Sequence, residues 1–252
     1  MIDTHSHIYL PDFNEDKVEV LSRASEAGVT AILMPAIDFD SIPQMTAMEH
    51  ESIHFYKMAG IHPCDVEEIE QGFESKLFAL CAKDEIIGVG ETGLDYYWSK
   101  DRVKEQKESL HAHFNVAKAV QMPIVLHNRE STDDLLEMMD EAQDGTLTGV
   151  WHCFNGTVEQ GKRAIDLGFY LGIGGVVTFK NGGVDKTVAQ LPLSKMVLET
   201  DAPYLSPTPK RGKRNEPSFM KYTAERLAEI FELSFQEIEE ITDRNARDLF
   251  RI

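Results

Sequence analysis

The chain has 252 residues, 42% hydrophobic and 27% charged, which excludes a disordered or fibrous chain and matches the length of one (β/α)8 barrel, about 250 residues. A formal net charge of −18 opposes proteins that grip long duplexes by phosphate neutralisation, so any nucleic-acid contact must be local. No apolar run nears the roughly 18 residues of a membrane helix, and the opening residues carry Asp3 and His5 in place of a basic-then-apolar leader, which predicts a cytoplasmic protein without a membrane partner.

Short apolar runs then recur in chain order, separated by helical patterns. MIDTH (1–5) reads as a strand, and DKVEVLSRASEAG (16–28) as a helix closed by Gly28. TAILMPA (30–36), HFYKMAGIH (54–62) and EIIGVGE (85–91) are the next three strands. DRVKEQKESLHAHFNVAKAVQ (101–121) carries apolar residues at spacings of three and four and is closed by Pro123. MPIVLH (122–127), LTGVWHC (147–153), FYLGIGGVV (169–177) and KMVLETD (195–201) bring the strands to eight, and from about Pro217 the chain reads as helices covering the barrel. Strand followed by helix gives parallel strands, hence an α/β fold, a (β/α)8 TIM-type barrel in one domain over residues 1–252. A doubly wound open sheet is the competing arrangement, but no G-x-G-x-x-G follows the first strand.

Active sites of such barrels lie at the C-terminal ends of the strands. Here the first strand ends in His5 and His7, the third in His62, the fourth in Glu91, the fifth in His127, the sixth in His152 and the eighth in Asp201. His5 and His7 alternate and so share one face of an extended chain. Four of these histidines with the two carboxylates form the nitrogen-and-oxygen ligand set of a divalent metal site, and one carboxylate can bridge two ions. His50, His54, His111 and His113 fall in helical stretches or at a strand start and are read as solvated or internally satisfied. Cys64, Cys81 and Cys153 lack C-x-x-C spacing and are read as reduced thiols.

Two divalent ions against Glu91 and Asp201 leave the site net positive, which draws an anionic substrate. Lys210, Arg211, Lys213 and Arg214 follow Asp201 on a loop at the same barrel end; as a charge run they could be a solvated tip, but beside a metal site a phosphate-binding loop is the better reading. Arg129, two residues past His127, fits either a bidentate clamp on phosphate or a helix-capping ion pair.

DTHSH, GIHP, GVGETGLDYY, PIVLHNR, HCFNG and LETDAPYLSPTPKRGKRNEP, in this order along essentially the whole chain, resemble the TatD family of metal-dependent hydrolases and deoxyribonucleases. The resemblance implies a distorted, amidohydrolase-like TIM barrel with two divalent ions (Mg, Mn or Zn) that hydrolyses DNA, often from a 3′ end on single strands. Carried over, His5, His7, Glu91 and Asp201 hold one ion and Glu91, His127 and His152 the other, while His62 contacts the substrate phosphate or ligates transiently. Two departures stand out: Cys64 replaces the second histidine of G-x-H-P-H, and Asn155 and Thr157 stand where serines are frequent.

The expected chemistry is attack of activated water on phosphorus, with Asp201 as first proton acceptor. Glu199, on the same strand face as Asp201, either orients a ligand or joins an interior ion pair, and Asp95 is a further candidate for orienting a ligand. DNA, as single strands or ends, is expected to bind weakly and without an obligate protein partner. The same site could cleave an ester such as an aminoacyl-RNA. A phosphotriesterase-like site would place a modified lysine where this chain has Glu91, and a vestigial, non-catalytic site would lack a ligand, whereas none is missing.

Overall fold

A computed structural model of the chain describes residues 1–68 and 72–252. Eight strands form one parallel sheet in chain order: β1 (Ile2–Asp3), β2 (Ala31–Met34), β3 (His54–Ala59), β4 (Ile86–Asp95), β5 (Ile124–Arg129), β6 (Gly149–Trp151), β7 (Phe169–Ile173) and β8 (Met196–Leu198). Between them lie α1 (Lys17–Glu26), α2 (Ser41–Thr46), α3 (Phe73–Cys81), α4 (Val103–Val120), α5 (Thr132–Ala142), α6 (Val158–Asp166) and α7 (Val184–Val188). After β8 come α8 (Met220–Phe231) and α9 (Phe235–Phe250). No helix of the described residues is long and apolar enough to cross a membrane.

The sheet curls nearly shut. Beyond the ends of β8 and β1 the seam is bridged by single backbone bonds: Thr4 N–H to Leu198 O at 3.0 Å, Asp201 N–H to His5 O at 2.9 Å and His7 N–H to Ala202 O at 2.8 Å. These bonds bring the two ends of the functional sequence pattern side by side.

Alternation along each strand divides the core. Ile32, Ile124, Leu126, Leu171, Met196 and Leu198 join the large outer cluster beneath the helices. Leu33, Met58, Val125, Val150 and Val197 form an inner cluster that α9 joins with Ala246, Leu249 and Phe250. Two residues further along the same face, Val125 leads to His127, Val150 to His152 and Val197 to Glu199, with Asp201 two residues beyond Glu199. Each inward face thus passes from apolar filling to polar chemistry in one step of the pleat.

Most strands are shorter than their apolar runs, β3 ending at Ala59 before His62, β6 at Trp151 before His152 and β8 at Leu198 before Asp201, and two further boundaries differ. Helix α4 is closed by Gln121 in the left-handed region (φ 55°), before Pro123 is reached. Strand β4 runs past Glu91 to Asp95, so Glu91 sits within a strand, where the β4–β5 register shifts between Val89 and Thr92. That irregularity turns Gly90 and Glu91 toward the segment after β2: Glu91 N–H donates to Ala36 O at 2.9 Å, and Ala36 N–H to Gly90 O at 3.1 Å. Gly93 (φ 144°) permits the close passage of β4 beside His127, since a Cβ there would lie 2.0 Å from His127 O.

Candidate metal centre

At the C-terminal mouth the residues His5, His7, Glu91, His152 and Asp201 are all buried, from 0% to 8% exposed, and His62 and His127 are partly buried. His5 Nε2 lies 3.2 Å from His7 Nε2 and 3.1 Å from Glu91 Oε2; His7 Nε2 is 3.4 Å from the same oxygen. Asp201 Oδ1 stands 3.8 Å from His5 Nε2 and 3.7 Å from His7 Nε2. The other carboxylate oxygen, Glu91 Oε1, faces His127 Nδ1 at 3.0 Å, His152 Nε2 at 3.5 Å and His62 Nε2 at 3.7 Å. The His5 and His152 rings stack at 3.7 Å between centroids.

Three sets of donors converge: His5, His7 and Glu91; His5, His152 and Asp201; and His62, Glu91 and His127, each with donor atoms within 4.8 Å of one another. Three of the nitrogens turned away from the cluster are tied down, whereas the buried His5 Nδ1 has no hydrogen-bond partner among the described residues. His127 Nε2 meets Asp95 Oδ2 at 3.0 Å, and His152 Nδ1 meets Glu199 Oε1 at 3.2 Å. His7 Nδ1 lies 3.1 Å from the Tyr9 hydroxyl, which donates its own proton to Pro35 O at 2.8 Å and therefore accepts from His7. In the neutral rings each of these three outer contacts places the imidazole proton away from the cluster and leaves a lone pair facing it, the tautomer a metal requires. The donor set therefore fits divalent ions that accept mixed imidazole and carboxylate ligands.

His62 is arranged in the opposite sense. Its Nδ1 accepts the Cys64 N–H at 3.1 Å, so in the neutral ring the proton sits on Nε2, which faces the cluster. Burial pushes this imidazole down to about 3, which keeps it neutral.

The cluster's electrostatics follow from its burial and crowding. Burial alone would raise the Glu91 carboxyl, but His5, His152 and His62 around it and the His127 hydrogen bond hold it well below its ordinary range. Burial pushes Asp201 up to about 6 against the pull of His152 and His7. Burial would lower His152, yet Glu199, Glu91 and Asp201 lift it to about 10. Burial and the neighbouring His152 hold His5 well below its usual value.

The remaining sequence candidates separate. Asp95 Oδ1 accepts the Tyr97 and Trp98 N–H groups at 2.9 and 2.7 Å. Glu199 is 0% exposed and also accepts the Cys153 N–H at 2.6 Å, in space that Gly172 leaves open. The Arg129 guanidinium lies over Tyr97, 4.3 Å from the ring centre, with no carboxylate partner among the described residues. Lys210 lies over Phe219 at 5.2 Å, and Arg211 over Phe179 at 3.8 Å. Lys213 is exposed, whereas Arg214 is committed to Asp16 at 2.7 Å. Asn215 is buried and donates to the carbonyls of Thr200 and Tyr204, bracing the loop after β8. His113 is fully buried on α4, while His54 and His111 are exposed.

Two supports escaped the sequence reading. Tyr9 fixes His7, and no strand spacing marks it, because the chain turns after His7, with Leu10 N–H donating to His7 O at 3.0 Å. Asp3 is 0% exposed and accepts both the Thr200 N–H at 2.9 Å and the Thr200 hydroxyl at 2.6 Å, so it joins the segments carrying His5 and Asp201. Burial pushes its carboxyl up to about 8.

Comparison with known proteins points to one family. The family described as "TatD related DNase" matches residues 2–251. The chain is 38% identical to the metal-dependent hydrolase YabD of Bacillus subtilis, itself described as uncharacterized, over 100% of this chain and 99% of the relative. It is 31% identical to the protein of Salmonella typhimurium named 3′-5′ ssDNA/RNA exonuclease TatD, over 100% and 99% of the two chains. The crystal structure of YJJV, a TatD homologue from Escherichia coli, superposes with a TM-score of 0.92 at 28% identity, covering 100% of this chain and 98% of the other. By sequence match along its whole length, and by fold, the chain belongs to the TatD family of metal-dependent hydrolases.

Proposed function

We propose that the chain is a deoxyribonuclease that releases nucleotides from the 3′ ends of single-stranded DNA in the cytoplasm. One observation carries the two-ion reading: the oxygens of Glu91 face separate imidazole sets, Oε2 toward His5 and His7, Oε1 toward His62, His127 and His152. The activity that the Salmonella relative is named for, on single-stranded DNA and RNA, supports the substrate class. On this reading His5, His7, Glu91 and Asp201 hold one ion and Glu91, His127 and His152 the other, the ions being Mg2+, Mn2+ or Zn2+. Bound there, they supply Lewis acidity that lowers the pKa of water and neutralises phosphate charge.

The chain's own groups do the rest. Asp201 accepts the proton of the attacking water. His62, neutral with its proton on Nε2, donates to a phosphate oxygen. Asp95 and Glu199 hold His127 and His152 in the tautomer that faces the cluster. Arg129, Lys210, Arg211 and Lys213 meet phosphates further along the strand; Arg214, already paired with Asp16, contributes least.

The test uses chelator-stripped protein reloaded with each ion and single-stranded DNA labelled at either end. Metal-dependent loss from the 3′ end is expected, and Glu91→Gln and Asp201→Asn should abolish it while the circular dichroism spectrum is retained. Even about a tenth of wild-type activity in Glu91→Gln would break the assignment of Glu91. Release of the amino acid from an aminoacyl-RNA, with DNA left intact, would move the site to ester chemistry.

A further inference from the structure

Among the described residues the large hydrophobic side chains most open to solvent are Val18, Phe78, Tyr97, Trp98, Tyr204 and Leu205. Four of these six lie on the loops just beyond β4 and β8, at the mouth that holds the metal cluster. Trp98 is 70% exposed and Tyr97 50%. An exposed aromatic pair at the rim of a site, rather than scattered over the surface, marks a contact surface.

The pair is held rigidly. The backbone N–H groups of Tyr97 and Trp98 both donate to Asp95 Oδ1, and the other oxygen of that carboxylate meets His127 Nε2 at 3.0 Å. Gln106, fully buried on α4, accepts the Asp95 N–H at 2.8 Å and donates to the carbonyls of Asp95 and Ser99 at 3.0 and 2.7 Å. Both ends of the aromatic segment are thus pinned, and one carboxylate links it to an imidazole of the site. The Tyr97 and Trp98 rings meet at 87° with centroids 4.7 Å apart, so neither covers the other face to face. The Arg129 guanidinium, 4.3 Å from the Tyr97 ring centre and 5.6 Å from that of Trp98, keeps its charge free of any carboxylate among the described residues.

We propose that Trp98, with Tyr97 and Arg129, is a stacking platform that receives an unpaired nucleobase and an adjoining phosphate beside the metal cluster. The proposal rests on the nuclease reading above and adds what selects the strand. A nucleotide presents a flat π-face and a phosphate a few ångströms away, and the platform presents an aromatic plane with a cation at that spacing. A base within a duplex has both faces already stacked, so the platform takes single strands and frayed ends. Stacking does not distinguish one base from another, so it selects strandedness without sequence.

Trp98 and Trp151 are the two tryptophans of the chain, and Trp151 is fully buried, so a change in emission on adding an oligonucleotide reports Trp98. The metal-loaded protein is titrated with a 5′-labelled thymidine hexamer carrying phosphorothioate linkages, which resist cleavage. Label anisotropy gives affinity, and tryptophan emission gives stacking. Saturable quenching is expected, and a phosphorothioate hairpin whose blunt stem is built of G·C pairs should give none. Trp98→Phe should lose the quench yet bind within about threefold of wild type, and Trp98→Ala should bind about tenfold more weakly. Binding without quenching, equal affinity in Trp98→Ala, or no binding at all would each overturn the platform. Cleavage of unmodified DNA is followed in parallel: cleavage without quenching removes the platform and leaves the nuclease, whereas quenching without cleavage does the reverse.

Discussion

Replacing Asp95 by asparagine keeps the side chain's shape and changes which atoms carry protons. Asp95 Oδ1 accepts the N–H groups of Tyr97 and Trp98, and an asparagine carbonyl can accept the same two. The other oxygen becomes an NH2 that faces His127 Nε2 across 3.0 Å, where a donor already stands. The conflict is relieved when His127 moves its proton to Nδ1, the nitrogen 3.0 Å from Glu91 Oε1, and that nitrogen then has no lone pair for an ion. Outer hydrogen-bond partners of this kind are worth about 10- to 100-fold in metal affinity. On the two-ion reading, at about 1.4 kcal/mol per factor of ten, the loss is about 1.4–2.8 kcal/mol on the ion that His127 would hold and near zero on the other. Competition for Mn2+ with a chromophoric chelator should therefore show one weakened site and one intact site, with circular dichroism and melting of the metal-free protein close to wild type. Two sites of undiminished affinity in a folded Asp95→Asn protein would show that this carboxylate does not set the His127 tautomer.

His113, buried on α4, accepts the Ile61 N–H at Nε2 (3.1 Å) and donates from Nδ1 to Ser109 O (2.7 Å); burial pushes it down to about 4. A histidine depressed in the folded state gives its full stability above the unfolded value near 6.5 and loses it as pH falls toward 4, about 2 kcal/mol by pH 5. Urea unfolding at pH 8 and pH 5 should thus fall more steeply for wild type than for His113→Gln, and parallel slopes would exclude the histidine as the source. Gly172→Ala places a methyl group 2.1 Å from Glu199 Oε2, and overpacking of this kind costs about 1–3 kcal/mol. Its melting temperature and the affinity of the His152 ion should drop together, and a drop in stability alone would mean that Glu199 yields without disturbing His152. On the proposed function, DNA cleavage by a protein of net charge −18 should be distributive, and because attraction rests on the few cations at the mouth it should weaken between about 50 and 200 mM salt. Long processive runs at physiological salt would contradict the expectation.

Much of the barrel was legible because its inward faces alternate in steps of two, a pattern that survives in one sequence without any partner. Val125 with His127 and Val150 with His152 are examples, and the structure brings their polar members to one mouth. What depends on long-range approach was not legible. Asp3 and Thr200 meet across 197 positions, and no local spacing announces that contact. The register shift that carries Glu91 within β4 depends on how β5 pairs, so the strand appeared to stop at Glu91 when it continues to Asp95. The basic run read as one cluster, yet Arg214 turns back to Asp16 while Lys210 and Arg211 lie over aromatic rings. Adjacent charges in sequence separate once a loop folds against different neighbours.

The distribution of charge sets how substrate binding has to work. An acidic surface repels a polyanion at close range, and beyond about 8 Å, the screening length at physiological salt, charges hardly interact, so no attractive long-range steering operates. Attraction must then arise at contact, from groups whose strength does not depend on the field of the whole protein. Arg129 and Arg211 meet that need: each guanidinium stacks on an aromatic ring and has no carboxylate partner among the described residues. A cation held over a ring is positioned without neutralisation, whereas an ion pair such as Arg214–Asp16 is positioned at the expense of its charge. On a surface rich in carboxylates, aromatic neighbours keep a few cations free for phosphate. This predicts that Phe179→Leu, which removes the ring under Arg211 and keeps the volume apolar, weakens binding of single-stranded DNA severalfold with little change in fold stability. Binding equal to wild type in that variant would show that Arg211 is positioned by its bond to Ser206 O alone.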